Sequence, residues 1–489
     1  MLRTIEKCLL AGVFGLFAAP FAVAAPLTSP VYTLEDEDED EEDEEEEEEE
    51  PEELLAIIGG DIYTGTGAFL RGATLLSRDG KIEEIGYDVD IPEEAKRIDA
   101  TGMRLYPGLV VTTSSGLLGG SGDLRDSINP FSQNMILGLA AGITTTGAGS
   151  TAVKLKRFEI EGAVIEDGRQ LQSIPWSNRN PSGKSKTREK FKAAAKYLRE
   201  FKTWEKEVKD DKELEEPSKR GIDTTSLAVL RGEKTPKFNS SSRSELLGIA
   251  RLAQEFGFSP VIEGAAEGWT IADELGRANA TVIINPRYRR WKDESLVRDG
   301  GSSIENAAIL HKAGCQIVVL PSSRGISLGG IVGRDIMHLT IEAGFAVRGG
   351  LSETAAIESI TMAPARVMGI SHRVGSLEVG KDADVIVTDG DLLHYQTFVQ
   401  YAVVDGKIAY DKEEELYFAH IRPRPESELA PESKVDPGEE VDEEASDEEG
   451  EPDGDEPDGD EPDGDEPDDD EPDDDEPEDE KPAEDDDDK

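Results

Sequence analysis

Every position from Glu35 to Glu50 is Asp or Glu. Such a run cannot bury apolar area and repels itself, so it is excluded from any core and reads as an extended spacer. A second acidic segment, Glu426 to Lys489, holds 38 acidic and 3 basic residues. It repeats Glu-Pro-Asp-Gly-Asp from Glu451 and Glu-Pro-Asp-Asp-Asp from Glu466, and the recurring proline blocks helix and strand, so a disordered tail is expected. The formal net charge of −55 therefore belongs to the appendages, because residues 54–425 carry only −3. That near-neutral stretch of 372 residues suits a large barrel with a small appended domain. A nucleic-acid partner is not expected, since counterion release needs clustered Lys and Arg. The tails are expected to bind cations weakly, because their spacing lacks the bidentate Glu and fixed loop of an EF-hand.

The N-terminus has a charged start (Arg3, Lys7), an apolar run from Leu9 to Phe21, and small residues at Ala22-Val23-Ala24. This is the pattern of a secretory signal cut after Ala24, which implies a secreted or periplasmic protein with no membrane attachment after signal removal. Gly12, Gly15 and Pro20 interrupt the run, and it is short for a spanning helix. Cys8 leaves with the signal, so the mature chain keeps Cys315 alone and no internal disulfide. Cys315 begins an apolar strand-like run and reads as a small buried hydrophobe.

Between the tails the texture changes twice. Leu54 to Asp99 holds short alternating strands with turns at Gly59-Gly60, Asp79-Gly80 and Gly86. Ser376 to Tyr410 repeats that texture, with a strand at Ala383 to Thr388 and a tight turn at Asp405-Gly406. In the middle, strand-like runs at Lys237 to Ser240, Pro260 to Glu263, Thr281 to Asn285 and Gln316 to Leu320 alternate with helical patterns. The clearest helix is Glu245 to Phe256, with an apolar face of Leu246, Leu247, Ile249, Ala250, Leu252 and Ala253. Strands spaced by helices imply parallel pairing through crossovers, hence an α/β fold with a TIM-type (β/α)8 barrel. The expected organisation is a signal at 1–24, an acidic disordered linker at 25–53, a composite β-sandwich domain at 54–104 and 373–415, a barrel at 105–372, and the acidic tail at 426–489. A charged helical insertion is expected near 184–216.

Several motifs occur in order: Asp79-Gly80-Lys81-Ile82 with Ile85-Gly86, Ile98-Asp99-Ala100-Thr101-Gly102 leading to Pro107-Gly108-Leu109, and Gly142-Ile143-Thr144-Thr145. Met362-Ala363-Pro364-Ala365 then runs into Gly369, and Val374-Gly375-Ser376-Leu377-Glu378-Val379-Gly380-Lys381-Asp382-Ala383-Asp384 follows. With these motifs the chain resembles the amidohydrolase superfamily, in particular its imidazolonepropionase-like branch. The resemblance implies hydrolysis of carbon-nitrogen bonds other than peptide bonds, with one or two divalent metals at the C-terminal mouth of the barrel. The family's ligands are a His-x-His pair, later histidines and an Asp after the last strand, which hold a metal that lowers the pKa of its bound water.

At the matching positions this chain has Thr113 and Ser115, then Asn239 and Ser241, then Gly264, then Ser322 or Ser323. Hydroxyls and amides do not replace imidazole for Zn²⁺, so no metal and no cofactor is expected. None of the five histidines pairs with another at a spacing of two or four. There is no Gly-x-Ser-x-Gly elbow, and Ser182-Gly183-Lys184-Ser185 lacks the first glycine of a phosphate loop, where Asn178 stands. Glu263 and Glu267 are candidate acids, weighed against structural roles at a helix N-terminus. Arg243, Arg287, Arg289, Arg290 and Arg324 follow strands at the expected mouth, with Tyr288 and Trp291 beside them. They suit an anionic small molecule or the chain's own acidic tail, or are ordinary surface arginines.

The expected protein is thus a secreted pseudoenzyme that binds a small ligand, or associates with itself or with an active relative as a homo- or hetero-oligomer. The alternatives are a metal-independent hydrolase using Thr113, Ser115, Asn239 and Ser322, and an interaction platform acting through the acidic tails.

Overall fold

The computed structural model describes residues 52–119, 128–148, 151–209, 214–292, 294, 299–327 and 334–415. The signal segment, the run from Glu35 to Glu50, His420 and the tail lie outside the described residues.

The segments on either side of the long middle form one sheet. Strands β1 (Leu54–Tyr63), β2 (Phe69–Arg78), β3 (Lys81–Gly86), β4 (Lys96–Asp99) and β5 (Arg104–Pro107) come from the first segment. β15 (Val385–Thr388), β16 (Val399–Val404) and β17 (Lys407–Asp411) come from the second. Their order is β17-β16-β15-β5-β1-β2-β3, with β4 also on β1, and the seam between the two segments is the antiparallel pair β5/β15. Asp79-Gly80 and Asp405-Gly406 turn two of the hairpins with positive φ at both positions, as two-residue turns of the I′ type require. The sheet bends over its own core of Leu55, Ile57, Ile62, Leu75, Leu105, Val385 and Val387. Its far edge meets the stretch before β15, where the Ile82 N–H donates to Lys381 O at 2.8 Å.

The middle is α/β. Strands β10 (Gln170–Ser173), β11 (Lys234–Ser240), β12 (Val261–Gly264), β13 (Thr281–Ile284) and β14 (Gln316–Val319) are parallel and adjacent in chain order. Parallel neighbours need crossovers. Those crossovers carry α2 (Pro181–Glu207) and α3 (Thr224–Leu230) before β11, then α4 (Arg243–Phe256), α5 (Ala272–Arg277) and α6 (Asn306–Lys312) between the following strands. β6 (Leu109–Val111) pairs in parallel with β7 (Ile143–Ala148) after α1 (Gln133–Ala140). Here the chain departs from simple alternation, because β7 continues into antiparallel β8 (Thr151–Lys154) and β9 (Val164–Ile165). After β14 come α7 (Leu339–Arg348), α8 (Glu353–Glu358) and α9 (Met362–Met368). Between the last two, Ser359 O accepts from Val319 N at 3.1 Å, and Ile360 O accepts from Val110 N at 2.9 Å. Residues 359–360 thus bridge the edge strands β14 and β6, and one apolar core runs beneath both sheets.

α4 shows why these residues form helices here. Ser242 is its N-cap residue and donates to the Glu245 carboxylate at 3.1 Å, while Leu246, Ile249, Ala250, Leu252 and Ala253 are buried. Gly257 ends the helix at φ 75°. α2 covers most of the charged stretch expected as a surface insertion, yet Phe191, Ala194 and Tyr197 are buried along one side. Phe191 packs on Phe256 and Phe258 with ring centroids 5.5 and 5.2 Å away.

A buried ion network ties the middle to the flanking sheet. Lys154, on β8, is wholly buried and lies 2.6 Å from Asp382 and 3.0 Å from Asp384, and it also pairs with Asp405. Asp382 is further held by Lys81 and, at 2.8 Å, by Arg373. Buried Cys315 has its thiol pushed up to about 12 by burial. No helix among the described residues is long and apolar enough to cross a membrane.

Candidate functional site

The strands β6 and β11 to β14 run the same way, so the residues after their C-terminal ends gather at one face, where ligands of such folds bind. Asn239 on β11 stands opposite Glu263 on β12. Lys237 lies two residues earlier and therefore on the same side of the strand, while Phe238 between them is buried in the apolar core.

Glu263 is the centre of this face. Its Oε2 lies 2.6 Å from Lys237 Nζ, and its Oε1 accepts from Arg324 at 2.7 Å. Burial pushes the Glu263 carboxyl up, but Lys237 and Arg324 outweigh that and leave it below the usual range. Arg324 also donates to Pro321 O at 2.6 Å, and its own carbonyl accepts from Ser115 N at 2.9 Å. The loop after β14 is thereby fixed to the loop after β6. With two cations and one carboxylate, the group carries a net positive charge.

The other matching positions are occupied as follows. The Thr113 hydroxyl turns back onto Thr112 O at 2.7 Å, and neighbouring Ser114 accepts from Thr146 Oγ1 at the same distance. Ser115, Asn239, Ser322 and Ser323 are exposed, and Ser323 N donates to Arg334 O. Ser241 O accepts from Glu267 N at 3.1 Å. Gly264 has φ 105°, and a Cβ there would sit 2.7 Å from Ser241 Oγ and 3.0 Å from Ser240 O. A side chain of any kind is strained at that position, an imidazole included.

The five arginines divide. Arg287 donates from two nitrogens to Glu342 Oε1, at 2.9 and 2.5 Å, and lies over the Phe345 ring. Arg290 is 3.3 Å from Glu267, which also accepts the backbone N–H groups of Arg243 and Gly301. Burial raises the Glu267 carboxyl and these donors bring it below its ordinary value, as suits a carboxylate at the N-terminus of α4. Where the sequence reading offers Arg287, Arg290 and Arg324 to an external anion, each guanidinium is matched by an internal carboxylate. Arg289 lies over Trp291 at 3.9 Å, and neither it nor the Arg243 side chain has a carboxylate partner among the described residues.

The residues present do not fit the metals that the family resemblance implies. Among the described residues no group of three or more His, Cys, Asp or Glu is placed to hold a metal ion. His338 Nδ1 bonds Asp335 at 2.6 Å and His372 Nε2 bonds Asp167 at 2.6 Å, on separate elements. Sequence reasoning singled out Glu263 but missed Lys237. The signal was available: a lysine two residues before Asn239 in a strand must share its face.

Residues 239–413 match the family described as Amidohydrolase family. The chain is 31% identical over 96 residues to the amidohydrolase tasK of Hapsidospora irregularis, which is 20% of this chain and 10% of that protein. It is 44% identical over 55 residues to N-acetylglucosamine-6-phosphate deacetylase of Danio rerio, 11% of this chain and 14% of that protein. The chain thus spans about a tenth and a seventh of the curated relatives it matches. An amidohydrolase from Thermotoga maritima MSB8 superposes with a TM-score of 0.56 at 20% identity, covering 73% of this chain and 100% of that one. That likeness bears on the fold, and the family match takes in β12 to β14 and the second segment of the flanking sheet. Over residues 239–413 the chain is thus similar to the amidohydrolase family.

Proposed function

We propose that this chain keeps the amidohydrolase architecture without metal-assisted hydrolysis of carbon-nitrogen bonds, and that its mouth holds a small anionic molecule. In this reading the two parallel systems are parts of one (β/α)8 barrel closed through residues 359–360, and the protein works outside the cytoplasm after removal of residues 1–24. The observation that carries it is the Lys237–Glu263–Arg324 group: both oxygens of the one central carboxylate are already taken by cations. Metal-assisted hydrolysis needs ligands that leave a position open for water. Here Gly264, Thr113 and Ser115 offer no such ligand, and two cations repel a divalent ion. The same net charge, with Ser115, Asn239 and Ser322 exposed beside it, favours an anion.

Elemental analysis of the purified protein tests this. Zinc, iron and manganese are expected well below one equivalent, and a stoichiometric content of any of them would overturn the reading.

One observation favours a metal-free hydrolase as a second reading. Asp335 fixes the His338 ring at 2.6 Å and itself accepts Ser327 N–H at 3.0 Å, in the loop after β14. A carboxylate on one ring nitrogen leaves the other able to take a proton. Hydrolysis of an activated ester that is lost in His338→Ala would favour this reading, and an unchanged rate would remove it.

A further inference from the structure

The opposite end of the same strands carries a cleft of its own. A cleft of about 400 Å³ opens where β11 to β14 begin, lined by Lys234, Val261, Thr281 and Gln316 from the first residues of those strands. Arg169, Arg231 and Arg366 also line it, so it holds four cationic side chains and, among the described residues, no carboxylate.

Two of those cations are already balanced. Arg366 pairs with Glu358, and Arg231 lies 3.7 Å from Glu233. Arg231 also caps the C-terminus of α3, where the exposed carbonyl end attracts a cation. Arg169 and Lys234 are different, because neither has a carboxylate partner among the described residues. Lys234 donates to the neutral Gln172 Oε1 at 3.4 Å. The Arg169 backbone is held by its N–H donating to Met368 O at 2.6 Å. The adjoining Gly369 has φ 75°, and a Cβ on it would lie 2.6 Å from the Arg169 Cβ. The close approach that places Arg169 at the cleft therefore depends on that glycine.

We propose that this cleft binds a small phosphate-bearing anion, with Arg169 and Lys234 as its principal ligands. The cations come from four separate elements: the loop before β10, the end of α3, the start of β11, and α9. A tetrahedral group presents oxygens in several directions and can meet more of them than a planar carboxylate can. Gln316, whose Oε1 accepts from Thr281 Oγ1 at 3.3 Å, adds its amide nitrogen as a neutral donor at the strand starts. The site is independent of the mouth chemistry.

Titration calorimetry of the full chain with inorganic pyrophosphate tests it. Saturable binding at the cleft is expected, weakening as salt rises, whether or not the mouth adds a second binding event. Arg169→Ala and Lys234→Ala should each weaken it by about tenfold, because each removes a charge-assisted bond. Both side chains reach solvent, so thermal melts of these variants should match the parent and separate loss of binding from loss of fold. Arg324→Ala, at the mouth, should keep the binding event that Arg169→Ala and Lys234→Ala weaken. The proposal is overturned by the absence of saturation at millimolar pyrophosphate, by affinity that ignores salt, or by loss in Arg324→Ala with none in Arg169→Ala and Lys234→Ala. Citrate binding as tightly as pyrophosphate would overturn the phosphate class.

Discussion

Replacing Lys154 by Met tests what joins the middle of the chain to the flanking sheet. The ammonium is fully buried and serves Asp382, Asp384 and Asp405, and two of these carboxylates are buried as completely as the lysine. Met is close in length and recovers some apolar burial, on the order of 1.5–3 kcal/mol. Against that, breaking a buried pair by removing one partner strands an uncompensated charge and costs about 3–5 kcal/mol net. The penalty should be near the upper end, because Asp384 Oδ2 already lacks a hydrogen-bond partner and would lose its nearest cation. At roughly 2–4 °C per kcal/mol, the melting temperature should fall by about 6–20 °C.

The pH dependence gives a second readout. Burial raises the Asp382 carboxyl, but Lys154, Lys81 and Arg373 outweigh this and hold it at about 2, against an ordinary 3.8. A depressed acid stabilises the fold above its unfolded pKa, so this contribution of about 2 kcal/mol is present above about pH 5 and is lost as pH falls towards 2. Asp384 shifts the other way on the same ammonium, since burial raises it and the neighbouring Asp405 adds to that. Its contribution favours the fold at low pH and declines as pH rises past the ordinary carboxylate range. The difference follows from the partners: Asp382 has three cations, whereas Asp384 has one, shared. Calorimetric or urea unfolding between pH 2.5 and 7 should therefore show an acid-side loss in the parent that shrinks in Lys154→Met. A variant within 1 kcal/mol of the parent, or more stable than it, would refute the reasoning.

Three other perturbations are informative. Gly264→His places a side chain at φ 105° against Ser240 and Ser241, so it should cost about 1–3 kcal/mol in urea unfolding without raising metal content in elemental analysis. Phe191→Ala removes the ring that α2 packs on Phe256 and Phe258, at about 3–5 kcal/mol, and should raise hydrogen exchange across Pro181–Glu207. Removing residues 426–489 should leave the cooperative melt of the rest within about 0.5 kcal/mol, since a segment of this composition buries no apolar surface; a larger drop in scanning calorimetry would assign the tail a structural role.

The parallel strands were legible because buried parallel strands are short apolar runs, and four of them stand within three residues of the expected positions. β8 and β9 were not, since Thr151–Lys154 carries a lysine whose burial depends on aspartates more than 200 residues away. Local pattern holds no trace of such a partner. The anchoring of α2 is an intermediate case. Phe191, Ala194 and Tyr197 recur every third residue, but the surrounding Lys and Glu dominate the composition and read as a solvated face. At the mouth, residue types at matching positions were readable, whereas the pairing of Arg287, Arg290 and Arg324 with Glu342, Glu267 and Glu263 depends on tertiary distances.

The motifs that made the family recognisable do structural work away from the mouth. Asp382 and Asp384 of the Lys381-Asp382-Ala383-Asp384 stretch are ligands of the buried Lys154. Gly80 of the Asp79-Gly80-Lys81 turn lies against Asp405, where a Cβ would approach the Asp405 carbonyl to 3.2 Å, and Lys81 reaches Asp382. Gly108 sits where a Cβ would meet Thr144 Oγ1 at 2.1 Å, joining two further motifs by close approach alone. These constraints concern how the flanking sheet locks onto the middle, and they hold whatever the mouth contains. Motif likeness of this kind therefore carries the architecture, and function has to be argued from the side chains at the site.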